Sequence, residues 1–280
     1  MPIDTLSQLR QWQPSYRPDA LIEDGLLLPG TTMMLFGAAE SWKTMNSIYL
    51  ACCLARGEPW YGYATKPVTV LMHQAELPKY QAKLRVLKYI DSNRKPSSNL
   101  FFYTAEDNMF LDTTYGVGVL TKQIEEVARR APDQDLPIVV ILDPLKHYMQ
   151  GHISDEYDVS KFQRNLDPLR KKQVITFIIV HHARLTRVDA SGQIIDLGAE
   201  EMMGSSYWNN WLDTIVRTKV TNPFTGKDTV NVSFGKHRNA QKFHPAFTVR
   251  WRRATLEPEI IQRDIIEDEE PSVRDLVGGE

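Results

Sequence analysis

Gly37-Ala38-Ala39-Glu40-Ser41-Trp42-Lys43-Thr44 is the stretch on which the reading of this chain turns. The short apolar run Thr32–Phe36 leads into it, which suggests a buried strand. Met45–Arg56 follows it, with Ile48, Cys52 and Ala55 on one side of a helix. The eight residues keep the spacing Gly-x4-Gly-Lys-Thr with one departure: Trp42 stands where the second glycine belongs. In a loop of that spacing the backbone N–H groups wrap phosphates, and the helix N-terminus adds positive potential. Residues 37–44 would form the cradle, with Lys43 reaching the outer phosphates and the Thr44 hydroxyl binding Mg²⁺. Trp42 leaves two readings open. Its ring covers the bound nucleotide, or its bulk strains the loop and slows turnover.

Working outward, strands and helices alternate as far as residue 182. Val68–His73 is a second apolar run, and Lys79–Asn93 carries Tyr80, Leu84, Leu87 and Ile90 at helical spacing. Leu100–Tyr103, Ile138–Leu142 and Thr176–Val180 read as further strands. Val117–Arg130 and the stretch through Val159, Phe162, Leu166 and Leu169 read as helices. Strands that are apolar throughout imply a mostly parallel sheet with helices on both faces, an α/β fold. Beyond residue 205 the pattern changes to antiparallel β segments. Val216–Val220 and Thr229–Phe234 flank a hairpin-turn sequence, Asn222–Asp228, and Phe247–Trp251 adds another strand. The expected organisation is an arm over 1–30, one α/β domain over 31–253 and an acidic tail over 254–280.

Four carboxylate and imidazole residues fall at strand ends. Asp143 closes Ile138–Leu142, where a carboxylate holds Mg²⁺ directly or through water. Glu76 lies just beyond Val68–His73, placed to orient and deprotonate an attacking water. His181 and His182 end Thr176–Val180, the strand after Asp143; His182 is the better candidate to hydrogen-bond a terminal phosphate. Adjacent strand residues face opposite ways, so the pair is a poor metal site.

Composition is that of a soluble globular chain: 42% apolar and 24% charged residues over 280 positions. No apolar run approaches the roughly 18 to 20 residues that cross a bilayer, so no membrane partner is expected. The start, Met-Pro-Ile-Asp-Thr, lacks the pattern of a signal peptide. Cys52 and Cys53 are neighbours on a helix and unsuited to a disulfide, and a cytoplasmic location is the simple expectation. Net charge is −2, but residues 254–280 hold nine acids and two arginines, −7, leaving +5 on the rest. A mildly basic body attracts polyanions, and the tail is a solvated end or a segment that docks on a protein partner.

The order of these features resembles a known family. A variant P-loop, Glu76 after the next strand, Ile141-Leu142-Asp143-Pro144, Val180-His181-His182, Gly204-Ser205-Ser206 and Lys236-His237-Arg238-Asn239 follow one another as in the RecA-like P-loop ATPases of the RepA and DnaB hexameric helicase group, most like the RepA branch. The similarity spans roughly residues 20–252. The resemblance implies a RecA-like core, ATP and Mg²⁺ as ligands, and a homo-oligomeric ring, commonly a hexamer, with ATP between subunits. It implies that Lys236 and Arg238 act in trans on a neighbour's ATP. It further implies single-stranded DNA as partner, held by loops carrying Lys146 and Tyr148 and, after His182, Arg184 and Arg187. A replicative helicase is the leading expectation. A recombination or repair ATPase and a nucleotide-binding scaffold with low turnover are the alternatives.

Overall fold

The protein was analysed as a computed structural model that describes residues 3–14, 18–90, 97–104, 109–183, 187–188, 194–195, 202, 204, 206–221 and 226–264. The loop residue Arg184, residues 222–225 of the turn and the last sixteen residues of the acidic tail lie outside these.

Helix α1 (Leu6–Gln11) opens the chain with a Thr5 capping box and buries none of its residues. Strand β1 (Thr32–Gly37), helix α2 (Lys43–Arg56), β2 (Thr69–Gln74), α3 (Lys79–Ile90), β3 (Leu100–Thr104), α4 (Thr114–Arg130), β4 (Ile138–Asp143), α5 (Glu156–Lys172) and β5 (Thr176–His182) then alternate. The pair β6 (Arg187–Val188) and β7 (Ile194–Ile195) forms a small separate ladder. Helix α6 (Ser206–Trp211) precedes β8 (Thr214–Val220), β9 (Thr229–His237), β10 (Phe247–Arg252) and β11 (Glu257–Arg263).

The main sheet runs β11-β10-β9-β8-β1-β5-β4-β2-β3. Neighbours from β8 to β3 pair parallel; β8, β9, β10 and β11 pair antiparallel. β1, β2 and β4 are apolar along nearly their whole length because both faces are covered. Met33 and Leu35 pack with α2 and the β9–β10 side chains; Met34 and Phe36 pack with α4 and α5. Successive residues of one strand therefore feed two cores.

Two expected boundaries are corrected. The arm is not peripheral beyond residue 20: Leu21, Ile22, Leu26 and Leu27 are buried in the α2-side core. The acidic tail does not begin at 254, because Glu257–Arg263 is the edge strand β11, paired along β10 from Arg252↔Glu257 to Phe247↔Arg263. Its acids stand on an edge strand with few buried positions, so an acid-rich sequence does not oppose pairing there.

Candidate active site

All the parallel strands end on the same side of the sheet, and the loop 38–42 leaves β1 there. Only glycine fits at its first position. A Cβ at Gly37 would stand 2.3 Å from the Thr218 carbonyl oxygen of the adjacent β8. Ser41, wholly buried, shares a 3.1 Å hydrogen bond with the Thr218 hydroxyl and donates to the Ala38 carbonyl at 2.8 Å. Glu40 and Trp42 both have left-handed backbone angles, φ 59° and 63°. That conformation costs a non-glycine residue about 1–2 kcal/mol, which is why glycine is usual at the second position.

Contacts from the C-terminal strands offset that cost. The Trp42 ring stacks on Trp251 of β10 at 5.2 Å between centroids and 4° between planes. Its indole N–H donates to the Lys227 carbonyl at 2.6 Å, and Lys227 pairs with Glu40. The Lys227 ammonium holds the Glu40 carboxyl below its usual range. Trp42 is therefore clamped to the antiparallel end of the sheet rather than projecting freely. It offers no side-chain cap to α2, so the first-turn N–H groups of that helix are left for a ligand.

Lys43, mostly buried, donates to the Ala38 carbonyl at 2.5 Å. Burial lowers its pKa, while Asp143 and Glu76 pull it back up. Asp143, the last residue of β4, is 1% exposed; its Oδ1 accepts from the Thr44 hydroxyl at 3.4 Å and its Oδ2 from Ser47 at 2.9 Å. Burial raises its pKa to about 6, against those hydrogen bonds. Thr44 and Asp143 offer oxygen to a hard cation, the donor set of a Mg²⁺ that keeps waters and takes its other ligands from phosphate. No group of three or more His, Cys, Asp or Glu suited to a metal occurs among the described residues.

Glu76 is exposed, and its backbone N–H and that of Leu77 both donate to the buried Gln74 side-chain oxygen, at 2.6 and 2.9 Å. His182, half-buried, is opposite Gly37 in the β1–β5 register. Burial and then Lys43 lower its pKa, with Glu76 opposing; His181 is wholly buried. Glu76, Lys43, Thr44, Asp143 and His182 thus border one cavity of about 830 Å³.

The remaining candidates fall elsewhere. Lys236 and Arg238 lie where β9 meets the start of β8, at the opposite end of the sheet from the loop. Lys236 donates to the Asn209 carbonyl at 2.5 Å; Arg238 pairs with Asp213 at 3.1 Å and donates to Asn210 at 2.9 Å. Lys146 is exposed just after β4, near enough to His182 to depress its pKa. Tyr148 is corrected as a base-stacking residue: it is 1% exposed, its ring 6.0 Å from that of His73 in the interior. The 3₁₀ turn Leu145–Tyr148 tucks Leu145 and Tyr148 inward and leaves Lys146 outside. Arg187 begins β6.

Residue types alone did not reveal three parts of this site. Ser47 lies one helical turn beyond Thr44, a spacing that could have found it. Gln74, two residues before Glu76, carried no motif. Trp251 and Arg253 reach the loop from about two hundred positions away, with no local signal.

No curated protein matches the chain. Among solved structures, an ATPase domain aligns at TM-score 0.61 with 12% identity, over 82% of this chain and 84% of that one. A DnaB-like replicative helicase, described with its primase interactions, aligns at 0.60 with 13% identity, over 81% of this chain and 56% of that one. A KaiC-like protein from the hyperthermophilic archaeon Pyrococcus horikoshii aligns at 0.53 with 12% identity, over 86% and 93%. Identities this low speak for shared fold alone, and that fold is the RecA-like one that the resemblance in the order of motifs implied. A family model described as an AAA domain matches residues 3–187, more than half the chain, so the protein belongs to the AAA domain family.

Proposed function

We propose that this chain hydrolyses ATP between copies of itself and uses the cycle to move along or remodel single-stranded DNA, as a RepA-like helicase. One observation carries the catalytic half: Lys43, Thr44, Asp143, Glu76 and His182, from four separate elements, border a single cavity. In this reading Lys43 neutralises the β- and γ-phosphates. Thr44 and Asp143 hold Mg²⁺, which supplies charge neutralisation when bound. Glu76 orients the attacking water and takes its proton. His182 hydrogen-bonds the γ-phosphate and passes its loss to the loop beyond β5. Lys236 and Arg238 are too far round the sheet to serve their own cavity and would serve a neighbour's. Lys146, Arg184 and Arg187 are the proposed phosphate contacts to DNA.

The test is ATP turnover with and without single-stranded DNA, alongside mass in solution. Wild type is expected to turn over faster with DNA and to assemble with ATP. Lys43→Ala should lose turnover, and Glu76→Gln should lose about 10²-fold or more in kcat while still binding ATP. A Glu76→Gln variant with unchanged kcat removes Glu76 from this role. The clamp on Trp42 favours a second reading, a nucleotide-binding scaffold that turns over slowly. It predicts ATP binding with no turnover above the Lys43→Ala control.

A further inference from the structure

We propose that Trp42, clamped by Trp251, forms with Met45, Leu84 and Leu256 a wall on which the base of the bound nucleotide lies. The proposal rests on the nucleotide reading above and names what the rest of that cavity recognises.

Phosphates, Mg²⁺ and water are assigned to Lys43, Thr44, Asp143, Glu76 and His182. The same cavity is also lined by side chains of another character: Trp42 and Met45 come from α2 and its cap, Leu84 from α3, and Leu256 from the turn between β10 and β11. Arg85, Lys88, Lys227 and Arg253 border it as well. Apolar surface beside the phosphate cradle is of no use to a phosphate, and it suits a base.

The backbone makes the same point. A glycine at position 42 would adopt φ 63° without strain and would cradle phosphates equally well. The tryptophan is instead held at that angle by a parallel stack on Trp251, an indole hydrogen bond to Lys227, and the Arg253 guanidinium 6.0 Å from its ring centre. What such a fixed indole adds is a rigid aromatic surface. Base–aromatic stacking is worth enough to change affinity by about tenfold or more.

The experiment compares ATP, CTP and inorganic tripolyphosphate, each with Mg²⁺, binding to full-length wild type, Trp42→Gly, Trp42→Phe and Lys43→Ala. Wild type should bind ATP and CTP about tenfold more tightly than tripolyphosphate, with quenching of tryptophan emission by both nucleotides. Trp42→Gly should lose that preference while keeping its affinity for tripolyphosphate, and Trp42→Phe should fall between. Equal losses for ATP and tripolyphosphate in Trp42→Gly would mean that Trp42 only shapes the loop, and the proposal fails. An unchanged ATP preference in Trp42→Gly also overturns it. Failure of the underlying reading looks different: Lys43→Ala would then bind all three ligands as wild type does.

Discussion

His73 sits at the next-to-last position of β2 with no exposure, and neither ring nitrogen has a hydrogen-bond partner among the described residues. Burial lowers its pKa from the ordinary 6.5 to about 3. Between those values the unfolded chain binds a proton that the folded one refuses, so stability falls as pH drops from 6.5 toward 3. The full penalty is on the order of 5 kcal/mol. His73→Phe keeps ring contacts with Tyr103 and Tyr148 and removes the titration. Urea midpoints measured from pH 7 to 4 should fall more steeply for wild type than for this variant; parallel curves would show that His73 contributes nothing to acid sensitivity. The same low dielectric acts on Lys43 and Asp143, and there a nucleotide and its cation would supply the compensating charge.

At the level of elements, β11 tests where the folded unit stops. Ile260 packs against the α2-side core. Arg263 at the strand's end donates to the Tyr61 carbonyl at 2.5 Å and lies 5.4 Å over the Phe247 ring. A chain stopped after Leu256 would uncover Phe247, Val249 and Trp251 along β10, all buried. Its melting temperature should fall by about 10 °C or more, a loss of several kcal/mol for a domain of this size. No change in calorimetric melting would make β11 a dispensable edge. Because Trp251 belongs to the strand that β11 covers, the truncation should also slow ATP turnover through the Trp42 clamp.

For the whole molecule, the two ends of the sheet matter together. The phosphate loop lies at one end, and Lys236 and Arg238 at the other. A head-to-tail arrangement of copies would bring them face to face, and such contacts close into rings or run on as filaments. Mixing Lys43→Ala with Arg238→Gln tests this. Each variant alone should be inactive, and an equal mixture should regain about a quarter of wild-type turnover if sites act independently. No recovery on mixing places the two residues in one site, and an Arg238→Gln variant that is active alone removes Arg238 from catalysis. Arg238 also pairs with Asp213, which accepts from the Thr32 backbone at 3.0 Å and lies 3.4 Å from Arg170. Melting temperature of Arg238→Gln is therefore measured beside its activity, to separate lost packing from lost chemistry.

The alternation of apolar runs with helical periodicity was enough to read the parallel core, because strands buried on both faces must be apolar along their length. Lys43, Thr44, Glu76 and Asp143 border one cavity for a related reason: each lies at a strand's end or in the segment that leaves it, and parallel strands end on one side. Contacts between distant segments were not legible. Tyr148 read as an exposed aromatic beside a lysine, and the turn it occupies buries it. Glu257–Arg263 read as tail, and hydrogen bonds to β10 make it sheet. Trp42 read as a defect or a cover. Local sequence determined that a bulky residue occupies a glycine's place; only the tertiary fold, by bringing Trp251 and Lys227 against it, decided that its ring is clamped, since stacking and hydrogen bonding across two hundred residues leave no periodic trace in the chain.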